Sequence, residues 1–347
     1  MRRQHIGPIP LPRVRGRPGW GPIVLAISLT GCVGSMPVAS PPPTPQARFV
    51  NLPELPGAAA ASGDQLWIAG YGVGRLYRVS GAPQLDVLAI PIGNPHLLQP
   101  ACEPGTVHDA PTGSFLPRRC DLPSGVAVGA GSVWTGRNDR QAVLRLDPAS
   151  GRIVATIPVG FHVFNLAADA ASVWVASFED NMVARIDPAT NTVTVRQSLL
   201  HAPSGVVIAD GSAWISRSGN ATVVRVDVMT GALQAEIPVG RRPLPLAVGS
   251  GSIWVRCEQD STVSRIDPST NRVAATIPVD PFYGLDGVDS MVANAGGVWI
   301  SGLNLQWIDA SSNRVTHSLP LSGRPYQAAS DRLWVLGLAG HVSRVAP

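Results

Sequence analysis

The sequence predicts an all-β protein: a seven-bladed β-propeller of four-stranded blades, with the ring closed by an N-terminal strand in the last blade. The chain of 347 residues contains 36 Gly and 33 Pro, and only 14% of it is charged, which favours many short strands joined by tight turns. Tryptophans recur beside short apolar runs, at Trp67, Trp134, Trp174, Trp214, Trp254, Trp299 and Trp334. From Trp134 to Trp254 their spacing is 40 residues, which is typical of propeller repeats.

One repeat unit, residues 124–160, contains four strand-like runs. They are Gly125–Val128, Ser132–Thr135, Ala142–Leu146 and Arg152–Val159. The first is rich in small residues, which suits a crowded position near the central axis, and the third alternates apolar and polar residues as a half-buried strand does. Pro158 in the fourth run removes a ladder donor, so we expect that strand at the outer edge of its blade.

The turn between the third and fourth strands is the most regular feature. An aspartate opens it and a Gly or Asn follows four residues later, in the pairs Asp147/Gly151, Asp187/Asn191, Asp227/Gly231, Asp267/Asn271 and Asp309/Asn313. Aspartate accepts backbone N–H groups in an Asx-turn, and Gly and Asn tolerate positive φ. A row of aspartates also fits a metal site, but regular placement in a hairpin turn favours the structural role.

The last unit ends with its third strand, residues 341–345, and no fourth strand follows. A strand-like segment, residues 47–53, precedes the first unit. We expect this segment to complete the last blade and remove its exposed edge.

The motif R-[ILV]-D-P-x-[ST]-[GN] followed by I-P-V, as in Arg265–Asn271 and Ile277–Val279, resembles the YVTN-type repeat propellers and the wider group that includes virginiamycin B lyase. The resemblance covers residues 47–347. For the lyase it implies a magnesium-dependent acid–base site with His and Glu on late blades. Here the late blades offer Glu258 but no His on the expected face, and the lyase's W-F-T-E strand motif is absent.

The N-terminal segment has the layout of a lipoprotein signal. Five arginines precede an apolar run, Ile23–Leu29, and Leu29–Cys32 then resembles a lipobox. We expect residues 1–31 to be removed, Cys32 to be acylated, and the Pro-rich residues 32–46 to tether the propeller of residues 47–347. The chain would then be exported and lipid-anchored to a bacterial membrane, since the apolar run is too short to span one.

The formal charge of +4 belongs to that signal. All 27 basic residues are Arg; without the first five, 22 Arg face 23 acidic residues. A near-neutral exported domain gives no reason to expect nucleic acid as a partner.

Export favours disulfides, and Cys102 and Cys120 lie in one loop insertion at about residues 94–122. We expect these two cysteines to pair, which leaves Cys257 as an odd thiol on a strand. The disulfide-closed loop could be a lid, a partner contact or a tolerated insertion.

The loops from second to third strand, and from fourth strand to the next blade, open on one face around the central funnel. Their candidate binding residues are Arg137, Phe161, His162, Phe178, Glu179, His201, Arg217, Arg241, Arg242, Arg256, Phe282, Tyr283, Arg324 and Tyr326. Guanidinium donors and aromatic rings together fit an anionic or aromatic ligand, or a protein partner. The alternative is that these arginines are solvated beside acidic neighbours.

We therefore predict a binding or protein-interaction module without enzymatic activity, cofactor or metal. The alternatives are a lyase resembling virginiamycin B lyase, another enzyme with its site in the funnel, or a small-ligand sensor. Fold alone does not choose among them.

Overall fold

The computed structural model describes residues 48–53, 56–70, 74–80, 85–92, 123–281, 291–302, 304–320, 324–327, 333–336 and 341–345, all within the compact unit Pro45–Pro347. Cys32, the tether and the insertion with Cys102 and Cys120 lie outside these residues. No helix in the described ranges is long and apolar enough to cross a membrane.

The described chain is almost entirely β-strand. The strands are β1 (Arg48–Asn51), β2 (Pro56–Ser62), β3 (Gln65–Gly70), β4 (Arg75–Ser80), β5 (Asp86–Pro91), β6 (Pro123–Gly129), β7 (Ser132–Arg137), β8 (Ala142–Leu146), β9 (Ile153–Pro158), β10 (Asn165–Ala168), β11 (Val173–Ser177), β12 (Met182–Asp187), β13 (Thr192–Ser198), β14 (Pro203–Ala209), β15 (Ser212–Arg217), β16 (Thr222–Asp227), β17 (Leu233–Pro238), β18 (Pro243–Gly249), β19 (Ser252–Cys257), β20 (Thr262–Asp267), β21 (Arg272–Pro278), β22 (Met291–Ala293), β23 (Gly297–Ile300), β24 (Leu305–Asp309), β25 (Arg314–Leu319), β26 (Arg324–Gln327), β27 (Leu333–Leu336) and β28 (His341–Val345). Two short 3-10 turns, Asn138–Arg140 and Glu258–Asp260, follow β7 and β19.

The strands form antiparallel four-stranded sheets, and six of these are single uninterrupted stretches of chain. We number them blades 1 to 6: β2–β5, β6–β9, β10–β13, β14–β17, β18–β21 and β22–β25. The count of seven tryptophan-marked units therefore needs a correction, because blades built from four consecutive strands number six, not seven. The physical reason is that the last tryptophan-marked unit supplies only three strands, β26 to β28, to its sheet and pairs with β1 for the fourth.

A further sheet combines both ends of the chain, and we call it the closing sheet. Its order is β1-β28-β27-β26, with Val50 opposite Val342 and Asn51 opposite His341. The predicted pairing of the N-terminal strand with the last unit is thus present. The seventh tryptophan, Trp334, lies on β27 of this composite sheet.

The six blades and the closing sheet form a ring. The innermost strands contact one another in chain order, from β2 through β6, β10, β14, β18 and β22 to β26, and β26 contacts β2 again. Each fourth strand is outermost, as Pro158 predicted for β9. This arrangement puts the loops from second to third strand and the loops between blades on one face, the loop face, and the remaining turns on the opposite face.

Apolar packing joins each blade to the next. Trp67 and Ile90 of blade 1 pack with Val133 and Leu144 of blade 2, and all four are buried. The same pattern repeats around the ring. Burial at these interfaces stabilises the ring, since each sheet alone leaves an apolar face uncovered.

Arginines on the third strands add a polar connection between blades. Arg225 lies 4.8 Å from the ring centroid of Trp214 and donates to the carbonyl oxygen of Pro268 and to Asn271 Oδ1 in the next blade, at 2.7 and 3.0 Å. Arg145 of blade 2 and Arg265 of blade 5 make equivalent contacts with the next blade in the ring. This arginine is part of the repeat motif, but its inter-blade role was not predicted.

The predicted role of the turn aspartates is confirmed. In each of the five turns, the carboxylate of the opening aspartate accepts a hydrogen bond from a backbone N–H two or three residues later. In the first of them, Ser150 N donates to Asp147 Oδ1 at 2.7 Å. The Gly or Asn that ends the turn has positive φ in all five cases, between 53° and 73°. These carboxylates are occupied by the turns themselves.

Candidate functional site

The loop face is braced by hydrogen bonds between loops of neighbouring blades. The loop that leaves β9 is held on one side by Asn138, whose Oδ1 accepts from Val163 N at 2.8 Å, and on the other by Asp180, whose Oδ2 accepts from His162 N at 2.7 Å. Further along the ring, Ala202 N donates to Asn181 Oδ1, as a third brace of this kind. The loops therefore present side chains from fixed positions.

His162 and Asp180 form the most distinctive polar pair of this face. His162 Nδ1 lies 3.0 Å from Asp180 Oδ2, and the same oxygen accepts from the buried Ser177 hydroxyl at 3.1 Å. Partial burial raises the pKa of Asp180, but the hydrogen bonds from His162 and Ser177 outweigh it, so the pKa lies below its ordinary value. Asp180 is therefore ionised at neutral pH, and its carboxylate favours the tautomer of the neutral imidazole in which Nδ1 donates and Nε2 is an acceptor.

Two phenylalanines form a second contact between the same two loops. The rings of Phe164 and Phe178 have centroids 5.7 Å apart and are tilted by 37°, and both side chains are half-buried. Phe161, which was predicted as a surface platform, is instead 2% exposed and packs in the core between blades 2 and 3. Phe178 stays accessible on the face.

His201 is exposed on the loop between blades 3 and 4 and has a backbone φ of 75°, followed by Ala202 at 58°. Positive φ is uncommon for residues other than Gly. The conformation is held by the loop of blade 4, where Gly219 N donates to the His201 carbonyl oxygen. A Cβ on Gly219 would lie 3.1 Å from that oxygen, so the glycine permits the close approach.

Two of the predicted binding arginines are buried within the propeller. Arg217 is 7% exposed; it donates to Thr222 Oγ1 and pairs with Glu236 on the outer strand of its blade. Arg256 is fully buried and donates to the carbonyl oxygens of Asp280 and Ser301. Both guanidinium groups bind protein oxygens instead of facing solvent.

Two other predicted arginines, Arg241 and Arg242, are accessible to solvent, but each forms an ion pair within the chain. Arg241 Nε lies 2.6 Å from Asp260 Oδ1, and Arg242 Nε lies 3.2 Å from Glu258 Oε2. The hydrogen bonds from the Arg241 backbone and side chain lower the pKa of Asp260. These are ion pairs between neighbouring loops, equivalent in position to the contact of His162 with Asp180.

Some of the remaining predicted residues lie within the described residues and others lie outside them. Arg137 is half-buried at the end of β7 and Glu179 is exposed. Arg324 and Tyr326 lie on β26, the innermost strand of the closing sheet, while Phe282 and Tyr283 lie outside the described residues. Cys257 is a free, buried thiol on β19, as predicted, and burial raises its pKa.

The bracing role of four polar residues is the part that the sequence did not predict. Asn138, Asp180 and Asn181 were expected on the loop face, but neither their hydrogen bonds between loops nor that of Ser177 to Asp180 was predicted. Their signal was available in the sequence, because polar side chains recur just after each second strand. No group of three His, Cys, Asp or Glu side chains within the described ranges is arranged to hold a metal ion.

Neither a protein-family model nor a curated protein sequence matches the chain. Its fold is similar to several solved propellers. A streptogramin B lyase structure matches with a TM-score of 0.66 and 13% identity, covering 87% of this chain and 96% of that one. The WD40 propeller domain of Doa1 matches with a TM-score of 0.64 and 10% identity, covering 85% and 94%.

A chain of the mitotic checkpoint complex matches with a TM-score of 0.69 and 11% identity, covering 92% of this chain and 99% of that chain. Identities this low bear on the fold and not on the activity. Taken with the ring of four-stranded sheets, they show that this chain is a β-propeller with a fold similar to that of streptogramin B lyase.

Proposed function

We propose that the chain is an exported, lipid-anchored module that binds a partner through its loop face, without catalysis. The observation that carries the proposal is the difference between the two faces. The opposite face repeats one aspartate turn with nearly the same residues in successive blades. The loop face carries a different set of side chains in each blade and holds them in place.

Rigid loops of varied chemistry on a repetitive scaffold are typical of binding surfaces. Leu200, which is 61% exposed beside His201, adds one apolar side chain to this varied set. The lipobox at Leu29–Cys32 and the Pro-rich tether support attachment to a membrane. A propeller held off the membrane in this way would present its loop face to partners in the same compartment.

Site-specific photo-crosslinking in the producing cell tests this proposal. A photoreactive phenylalanine is placed singly at three exposed loop-face positions, Glu179, Leu200 and Arg241, and at three exposed positions of opposite-face turns, Ala149, Ala189 and Thr230. We expect one partner protein in adducts from the loop-face set and none from the opposite set. Adducts from the opposite set alone would contradict the proposal.

The same experiment separates the alternatives. Each variant is purified, and small molecules in the eluate are identified by mass spectrometry. A small molecule that copurifies with the wild type, with no protein adduct from either face, would replace the module by a sensor or an enzyme, and would supply the compound to test for turnover.

A further inference from the structure

Four predicted binding arginines of the loop face already bind oxygen atoms of the chain itself, which changes the charge that the face offers to a partner. Arg217, Arg241 and Arg242 pair with carboxylates of the chain, and the buried Arg256 donates to two carbonyl oxygens. Glu179 differs from them. It is exposed and has no ion pair or hydrogen bond to the described residues. The charge that this part of the face offers to a partner is therefore negative.

The neighbours of Glu179 also suit a cation. Phe178, adjacent in sequence, stacks with Phe164, and the faces of aromatic rings attract cations. The chain itself gives an example close by, since the Arg196 guanidinium lies 5.9 Å from the ring centroid of Phe161. Among the described residues, no guanidinium lies over Phe164 or Phe178.

His162 supplies a directed acceptor on the loop that contacts the Phe178–Asp180 loop. In the neutral imidazole whose Nδ1–H donates to the Asp180 carboxylate, Nε2 is left as a hydrogen-bond acceptor. Within the described residues Nε2 has no hydrogen-bond partner, and the His162 side chain is 33% exposed. The two arginines of the adjoining loop of blade 2, Arg137 and Arg140, have interactions of their own within the chain.

We propose that His162, Phe164, Phe178 and Glu179, the cation patch, bind an arginine side chain of a protein partner. A guanidinium is planar and has five N–H donors, so it can stack on a phenyl ring while donating to a carboxylate and to an imidazole nitrogen. The inference rests on the proposed function and names the chemistry that the partner must supply at blade 3.

A peptide titration tests the cation patch without knowledge of the partner. The probe is the capped pentapeptide Gly-Gly-Arg-Gly-Gly, and its neutral counterpart has citrulline in place of arginine. Binding is followed by NMR of protein labelled at its histidines, with the His162 signal assigned from the His162→Gln variant. We expect a saturable shift of the His162 signal with the arginine peptide, at a Kd on the order of millimolar, and no shift with the citrulline peptide.

Two variants examine the individual contacts. Glu179→Gln removes the charge, and Phe178→Leu keeps an apolar side chain but removes the ring; each should weaken binding by roughly two- to fivefold. Asp210→Asn is the matched control, because it removes an exposed carboxylate from a turn on the opposite face. It should leave the Kd unchanged, and thermal unfolding of all three variants verifies that they are folded.

The outcomes distinguish this inference from the proposed function. Equal binding of both peptides, or binding unaffected by Glu179→Gln and Phe178→Leu, would overturn the cation patch. Loop-face crosslinks without any binding of the arginine peptide would leave the module standing and remove the patch. Binding of the arginine peptide at the patch without any loop-face crosslink would keep the patch and remove the partner-binding module.

Discussion

Arginine side chains on the third strands connect each blade to a turn of the next blade. The side-chain part of the contact needs an Asn at the end of the facing turn, as Asn271 is for Arg225; opposite the turn that ends in Gly151, Arg78 donates to the carbonyl oxygens of Pro148 and Ala149. Blade 4 ends the corresponding turn with Gly231, and there the terminal nitrogens of Arg185 bond instead to Thr194 and Met229, while its Nε keeps the bond to a serine that Arg225 also makes. Variation at one turn position thus changes how two blades are joined.

We expect Arg225 and Asn271 to be energetically coupled. Arg225→Met keeps an apolar stem beside Trp214 but removes the donors, and Asn271→Gly tolerates the positive φ of 54° but removes the acceptor. A double-mutant cycle from urea unfolding should give a coupling of about 0.5–2 kcal/mol. As a matched control, Arg145→Met combined with Asn271→Gly should be additive, since Arg145 contacts a different turn. Additive effects in the first cycle would contradict the contact.

A second residue-scale prediction concerns acid. Hydrogen bonds from Ser311 and Ser312 lower the pKa of Asp309 from 3.8 to about 2. A carboxyl whose pKa is depressed by folding stabilises the folded state above its unfolded pKa, and this contribution is lost as the pH falls through the folded value. We expect the thermal midpoint of the wild type to exceed that of Asp309→Asn above pH 4, with the gap closing towards pH 2. A gap independent of pH would show that the ionised carboxylate is not the stabilising species.

At this scale the sequence predicted some roles and missed others for identifiable reasons. The aspartate turns were predictable because every bond that a turn aspartate makes lies within a few residues of it. Arg217 and Arg256 were expected on the surface because they lie near the ends of strands. The neighbouring sequence does not indicate that their side chains are buried against Glu236 and Ser301. Partners that come from distant parts of the chain decide those cases.

Among the elements, β1 has the most testable role. It pairs with β28, and its Val50 and the following Leu52 pack with Trp334, Leu336 and Val342. Without β1, the outer edge of the closing sheet and this apolar cluster would both be exposed to water.

We expect a chain that begins at residue 54 to unfold at clearly lower urea concentration than one that begins at residue 46. Leu52→Ala alone should cost about 2–5 kcal/mol, because Leu52 is 6% exposed. A synthetic peptide of residues 46–53, added to the shortened chain, should restore part of the loss. Equal unfolding midpoints for the two chains would show that β1 does not stabilise the ring.

Strand positions were largely predictable and strand ends were not. Ala142–Leu146 was predicted with its observed bounds, whereas Gly125–Val128 proved to be β6, Pro123–Gly129. Alternation identifies a strand through its side chains, while its ends depend on pairing with a neighbour, as Pro123 pairs with Arg137. The same pairing extends β7 two residues beyond the predicted Ser132–Thr135 run.

For the whole molecule, the division between a repetitive face and a varied face is what links fold to function. The repeat explains why the sequence predicted most of the scaffold apart from the number of blades: every unit carries the tryptophan, and most carry the same turn and edge proline. The loop face was located by the same logic, but its charge balance was not. That balance depends on ion pairs such as Arg241 with Asp260, which form between loops of adjacent blades.

The proposed attachment to a membrane gives the last prediction, which concerns how the whole chain is held. If Cys32 is acylated, a clickable palmitate analogue fed to the cells should label the protein, and the protein should sediment with membranes. Cys32→Ser should abolish the label and release the protein, because one apolar run of this length does not span a bilayer. Cys257→Ser, which changes a buried thiol, is the matched control and should keep the label. Label retained by Cys32→Ser would place the acyl chain elsewhere, and unlabelled wild type in the soluble fraction would leave the propeller without the lipid anchor that the proposed function requires.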